Sequence, residues 1–254
     1  MTAQDYLQAL LDQQNLTEQE LNVLRGLRDR VQTLLSNLEG SPRFYYAGSY
    51  GKKTIIRERY DLDVVIYWPR TINYTIEDIY EGVGKQLKKE WDIVSPKTVS
   101  WEVPFDGGFH VDVVPGRALA DDYKEANLYR TDTGKTLKTS IKTHINTVKN
   151  SGRRDAIRLL KLWRERKQVP FKKSFLLEIM TIEGCKGVSY IDLSEQVLSA
   201  LSYIRDNIET AQVKDPANSN NSLSDDIFAS DKRLIKNAAQ AALSVKFWSE
   251  MFTK

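Results

Sequence analysis

The sequence predicts an α+β protein, with a strand-rich first half and a helical second half. Three observations carry that prediction. Short β-branched and aromatic runs, "RFYYAG", "DLDVVIYW", "TVSWEVPF" and "FHVDVVP", lie between residues 43 and 115 with turn residues between them. Beyond residue 138 the apolar residues recur at helical spacing. Asp61 and Asp63 stand one residue apart at the mouth of an apolar strand, where burying two like charges is costly unless a cation neutralises them. The expected division is 1–137 for an N-terminal helix with the strand-rich core that carries these acids and 138–254 for a helical domain.

The elements follow in order. "LTEQEL" carries a capping box, with Thr17 as N-cap and Glu20 three residues on, and Leu16 and Leu21 placed as a hydrophobic staple. Leu24, Leu27, Val31, Leu34 and Leu38 continue that helix until Gly40-Ser41-Pro42 ends it. "RFYYAG" leads into a Gly-Ser turn, and "DLDVVIYW" ends at Pro69. Residues 75–91 read as a helix, 98–105 and 109–115 as strands, with Gly107-Gly108 as the hairpin turn between them. This mixed unit is expected to end near residue 120. One or two helices then span "KTHINTVKNSGRRDAIRLLKLWRER", and others span "SFLLEIMTIEGC" and "SEQVLSALSYIRDNIETA". "VKDPANSNNSLSDD" reads as a polar loop before the helical "SDKRLIKNAAQAALSVKFWSEMF".

Composition narrows the class. The chain is 41% hydrophobic and 28% charged, an ordinary globular balance, and its net charge of +3 does not by itself imply nucleic-acid binding. No run approaches the ~20 apolar residues of a membrane span. "MTAQDYLQALLDQQ" lacks a basic region leading into an apolar segment, so no signal peptide is expected. The single cysteine, Cys185, forms no intrachain disulfide, and one cysteine with two histidines makes a structural zinc site improbable. A cytoplasmic location is expected.

The chemistry centres on the acids. On a strand, residues i and i+2 share a face, so Asp61 and Asp63 point together, away from Leu62, Val64 and Ile66. Asp112 lies in another apolar strand between Val111 and Val113, and pairing of the two strands brings three carboxylates together. Such a site suits Mg²⁺, with Mn²⁺ able to substitute, and two ions ~4 Å apart can activate a hydroxyl and stabilise a leaving pyrophosphate. Gly48 lets backbone approach a phosphate and Ser49 adds a hydroxyl donor. Lys52 and Lys53 could meet phosphate too, although exposed loop lysines are more often merely solvated. His110 reads as a supporting group beside Asp112 rather than a catalytic one.

The pattern Gly48-Ser49, Thr54, Ile56, Asp61-Leu62-Asp63 and a later Asp112 resembles that of the DNA polymerase β-like nucleotidyltransferases. It is closest to the branch of oligoadenylate synthases, cyclic GMP-AMP synthase and the bacterial CD-NTases of CBASS anti-phage systems. "KTSIKTHI" (138–145) resembles the segment after the third acid, with Ser140-Ile141 in place of Asn-Pro. "RLLKLWRERKQVPFKKSFLLEIM" (158–180) resembles the helix whose Lys and following Ser, here Lys161 and Ser174, grip the donor triphosphate. "DPANSNNSLS" (215–224) resembles a loop near the base, with Ser219 replacing a Pro and Asn221 as its base-side residue.

The resemblance implies a polymerase-β-like fold and synthesis of cyclic or linear oligonucleotide messengers from NTPs. Asp61, Asp63 and Asp112 would be metal ligands and catalytic residues. Gly48, Ser49, Lys161, Ser174 and Asn221 would bind nucleotide, and an activating protein or ligand is an expected partner. Without the resemblance, the arginines around Lys161 read as a solvated helix face. A nucleotidyltransferase acting on tRNA, protein or a small molecule, and a non-catalytic nucleotide binder, are the alternatives; nucleic acid as a partner is left open.

Overall fold

Threonine caps and β-branched runs place the elements largely where the sequence puts them. The computed structural model describes residues 2–105, 109–225 and 227–254, so the expected Gly107-Gly108 turn lies outside the described residues. In chain order come α1 (Ala3–Gln13), α2 (Glu18–Ser36), β1 (Arg43–Tyr46), α3 (Gly48–Lys52), β2 (Leu62–Trp68) and α4 (Ile76–Glu90). Then follow β3 (Ser95–Pro96), β4 (Trp101–Pro104), β5 (His110–Ala118), β6 (Ala126–Arg130) and β7 (Lys135–Thr139). The remainder is α5 (Ile141–Ser151), α6 (Arg154–Arg166), α7 (Ser174–Gly184), α8 (Leu193–Asn207), β8 (Lys214–Asp215), β9 (Asn218–Ser222), α9 (Ala229–Leu243) and α10 (Trp248–Phe252).

The chain divides into two units. One comprises Leu16–Lys53 and Tyr60–Ile145; the other comprises Met1–Asn15, Thr54–Arg59 and Asn146–Lys254. The division therefore falls inside α5 and is not contiguous in sequence, unlike a single boundary at residue 137.

In the first unit, Thr17 and Thr75 each close a capping box, with Glu20 and Asp78, and so begin α2 and α4. Seven strands among the described residues form one mixed sheet, with β1-β2-β5-β4-β3 as its main path. β2 runs parallel to β5 and antiparallel to β1. The nine-residue β5 shares its other edge between β4, along its first half, and β6, along its second. Val64, Ile66, Val111 and Val113 are fully buried on these central strands. The β6–β7 hairpin extends the strand-rich region beyond residue 120, where the sequence reading ended it. Its strands are short and partly exposed, so they lack the apolar run that marks β2.

The second unit is helical. α5 and α6 are separate helices, broken at Gly152, whose φ of +66° ends α5. Leu7, Leu10 and Leu11 of α1 join Leu159, Leu160 and Trp163 of α6 and Val197, Leu201 and Ile204 of α8 in one core. The arginines of α6 are largely structural anchors, not a solvated face. Arg158 donates to the carbonyls of Leu11 (3.2 Å) and Ile55 (3.0 Å) and to Asn15 Oδ1 (2.9 Å). Arg166 pairs with Glu58 and donates to the Phe252 carbonyl (2.8 Å). These bonds tie the chain start and residues 54–59 into the helical unit. The "polar loop" contains a small hairpin, β8–β9, because the Asp215 side chain accepts from the Ala217 N–H (2.8 Å) and turns the chain.

Candidate active site

The strand register assembles the acids. Asp63 on β2 stands opposite Asp112 on β5, and Asp112 stands opposite Glu102 on β4. Directly opposed residues share a sheet face, so three carboxylates from three adjacent strands form one row. Asp61 precedes β2 by one residue and adds a fourth.

The Gly-Ser segment is the start of the short helix α3 rather than a simple turn. The Ala47 N–H donates to the Asp63 carbonyl (3.0 Å) and Ser49 Oγ lies 3.5 Å from Asp61 Oδ1. Gly48 has φ +55°, and a Cβ there would lie 1.5 Å from Asp63 Oδ2. Only glycine combines that backbone with that proximity. Gly48→Ala is therefore expected to lose about 1–2 kcal/mol from the left-handed backbone alone, and to displace the Asp63 carboxylate as well. A lowered melting temperature together with weakened Mn²⁺ binding checks this; a variant with wild-type values of both would show that Asp63 needs no such cradle.

Electrostatics set the members of the row apart. Burial pushes the Asp63 carboxyl up to about 7, reinforced by repulsion from Asp61 and Asp112 and opposed by Lys52 and His110. Lys52, expected to be solvated, is in fact buried on α3. Asp112 is also penalised by burial, but contacts with His110 and Lys97 outweigh this and hold it below the ordinary carboxylate value. His110 Nε2 lies 3.7 Å from both Asp61 Oδ2 and Asp112 Oδ2, so its link to them is charge attraction rather than a formal hydrogen bond. The adjacent Asp112 raises the imidazole above its ordinary value despite burial. Lys97 Nζ lies 3.0 and 3.1 Å from the two Asp112 oxygens and also pairs with Glu102.

A divalent cation fits this donor set. The oxygens are hard carboxylate ligands, and Asp63, Asp112 and Glu102 stand side by side in register on three adjacent strands. Among the described residues, the group whose ligand atoms all lie within 4.8 Å of one another is Glu102, His110 and Asp112; the expected set of Asp61, Asp63 and Asp112 does not converge that closely. The sequence reading did not include Glu102 and Lys97. "WEVP" carries a period-2 signal that puts Glu102 on the face opposite Trp101, but only the register puts it beside Asp112.

Lys161, Ser174 and Asn221 belong to the helical unit. Lys161 Nζ is buried, 2.6 Å from Glu178 Oε1 and 2.9 Å from Thr54 Oγ1, and Thr54 Oγ1 donates to the same Glu178 oxygen (3.1 Å). Ser174 opens α7, and its Oγ accepts from Arg164 Nη1 (2.7 Å). Asn221 lies on β9 and donates to Asp215 Oδ2 (3.2 Å).

A central mixed sheet with flanking helices and a carboxylate row across β2 and β5 is the framework of a nucleotidyltransferase. The chain belongs to the family described as Second Messenger Oligonucleotide or Dinucleotide Synthetase domain, whose family model matches residues 1–151. No curated protein matches the sequence. Among solved structures, that of E. coli MS115-1 CdnC with ATP has 24% identity and a TM-score of 0.77, covering 100% of this chain and 98% of that one. The E. coli CdnC:HORMA-deltaN complex has 25% identity and a TM-score of 0.70, with 95% and 91% covered. Bradyrhizobium diazoefficiens CdnG in complex with GTP has 14% identity and a TM-score of 0.75, with 98% and 95% covered. The chain is thus an oligonucleotide-synthase-type nucleotidyltransferase of the CD-NTase branch. No helix among the described residues is long and apolar enough to cross a membrane.

Proposed function

We propose that this chain condenses nucleoside triphosphates into a cyclic or linear oligonucleotide second messenger, in a Mg²⁺-dependent reaction that serves bacterial anti-phage (CBASS) signalling in the cytoplasm. The observation that carries the reading is the row of Asp63 and Asp112, joined by Asp61 and cradled by Gly48. Asp61 and Asp63 would hold two ions and Asp112 one of them. When bound, the metal supplies charge neutralisation at the α-phosphate and the leaving pyrophosphate. Asp112 receives the acceptor hydroxyl's proton; that oxygen then bonds to the α-phosphorus as the bond to pyrophosphate breaks. Gly48 and Ser49 orient the triphosphate, so that attack is in line. The family resemblance adds Lys161 and Ser174 at the triphosphate and Asn221 at the base. The bonds of Lys161 to Glu178 and Thr54 give it a structural task besides.

ATP and GTP accompany two of the similar structures, and a HORMA protein accompanies another. Purine triphosphates as substrates and an activating protein as partner are therefore part of the proposal. The test is incubation with all four α-labelled NTPs and Mg²⁺ or Mn²⁺, with and without an activating partner, followed by chromatography after phosphatase. Phosphatase-resistant small products from NTPs alone, containing at least one purine, are expected. Label found only on tRNA or on a partner protein, with no small product under any condition, would replace this reading with macromolecule modification.

A further inference from the structure

Lys97 is positioned by the fold. Its N–H donates to the Ser100 carbonyl (2.8 Å), and its own carbonyl accepts from Tyr80 Oη (3.0 Å) and Thr131 Oγ1 (3.3 Å). Tyr80 in turn stacks on Trp101, with ring centroids 4.9 Å apart, and its carbonyl accepts from Trp101 Nε1 (2.9 Å). This bracing fixes the turn between β3 and β4 and sends the Lys97 side chain across β4 to β5. There the ammonium lies between the two Asp112 oxygens, nearly equidistant from them, where a chelated cation would sit. The same ammonium pairs with Glu102, the register neighbour of Asp112.

We infer that Lys97 is a positioning residue that competes with the metal for Asp112, and that Glu102, already its partner, retains its ammonium when the metal binds. This rests on the proposed metal role of Asp61, Asp63 and Asp112. Two cations cannot share the chelating position of one carboxylate, so metal entry requires Lys97 to let go of at least one Asp112 oxygen. Glu102 makes the release easy, because the ammonium keeps a charged partner without leaving its place. The arrangement leaves Asp112 neutralised and oriented before nucleotide and metal arrive together.

The test is Mn²⁺ titration of the metal-stripped full chain, following free Mn²⁺ by electron paramagnetic resonance. The proteins are wild type, Lys97→Met, Glu102→Gln, the double variant and Asp63→Asn, with Lys97→Gln as a second variant should Lys97→Met not fold. A charge-assisted hydrogen bond corresponds to about tenfold or more in affinity, so Lys97→Met is expected to tighten Mn²⁺ binding about tenfold. Glu102→Gln should weaken it, and most of that loss should vanish in the double variant, where no ammonium needs a second partner. Weaker binding in Lys97→Met, or single effects that simply add in the double variant, would overturn the exchange. Asp63→Asn separates the two readings. If it weakens Mn²⁺ binding while Lys97→Met changes nothing, only this inference fails. If it binds like wild type, the metal assignment fails and takes the inference with it.

Discussion

Asp63→Asn is expected to abolish nucleotidyl transfer and, in the same protein without metal, to raise the melting temperature. Loss of one preorganised charge contact at a transition state costs on the order of 10²–10³-fold in rate, and Asp63 is proposed to hold both ions, so the upper end applies. Stability moves the other way. The Asp63 carboxyl is desolvated and faces Asp61 and Asp112, and asparagine keeps its shape while removing the charge. The pH dependence follows from the same group. With a folded value of about 7 against an ordinary 3.8, the folded protein retains a proton that the unfolded chain releases. Stability from this group therefore falls as pH rises from about 4 to about 7. His110, also raised, contributes a loss of the same sign above its ordinary 6.5, and because its charge acts on Asp63 the wild-type-minus-variant difference reads the two together. Calorimetric melts in EDTA from pH 4.5 to 8 measure it, and saturating Mg²⁺ should flatten the wild-type slope. Superimposable pH profiles for the two proteins would show that the Asp63 carboxyl is not raised, and an active variant would remove Asp63 from the metal site.

Lys161→Ala carries the largest expected loss of stability. Glu178 is fully buried and Lys161 nearly so. Truncating the lysine leaves a carboxylate in the core of the helical unit without its ammonium, a loss of about 3–5 kcal/mol for buried pairs of this kind. Urea unfolding should show that loss, and Lys161→Met combined with Glu178→Gln should recover most of it, since the buried charge goes with its partner. A loss below about 1 kcal/mol, the scale of exposed pairs, accompanied by weaker ATP binding, would make phosphate contact the main task of Lys161.

These two residues divide along the line between local and long-range information. Asp61 and Asp63 are legible because strand alternation and the turn before them are local: two acids at the mouth of "DLDVVIYW" announce an unusual strand wherever it packs. The capping boxes at Thr17 and the apolar stripe of α8 are legible for the same reason. Lys161 is equally visible as a lysine on an amphipathic helix. Nothing within several residues of it says that Glu178 and Thr54 close around its ammonium, from 17 and 107 residues away in sequence. Arg158 and Arg166 of α6 are misleading for the same cause, since their acceptors are Leu11 of α1, Asn15, Ile55, Glu58 and Phe252 of α10.

The sequence alone determined the strands around the acids and the longer helices, that two acids share a face, and the family resemblance those motifs carry. Tertiary structure decided which strands are neighbours. It thereby added Glu102 and Lys97 to the row at Asp112, folded the Asp63 carboxylate against Gly48, and drew α1 into the helical unit. The physical reason is that periodicity and capping act within a few residues. Strand register and the partners of a buried charge are fixed only when distant segments bury their apolar faces together.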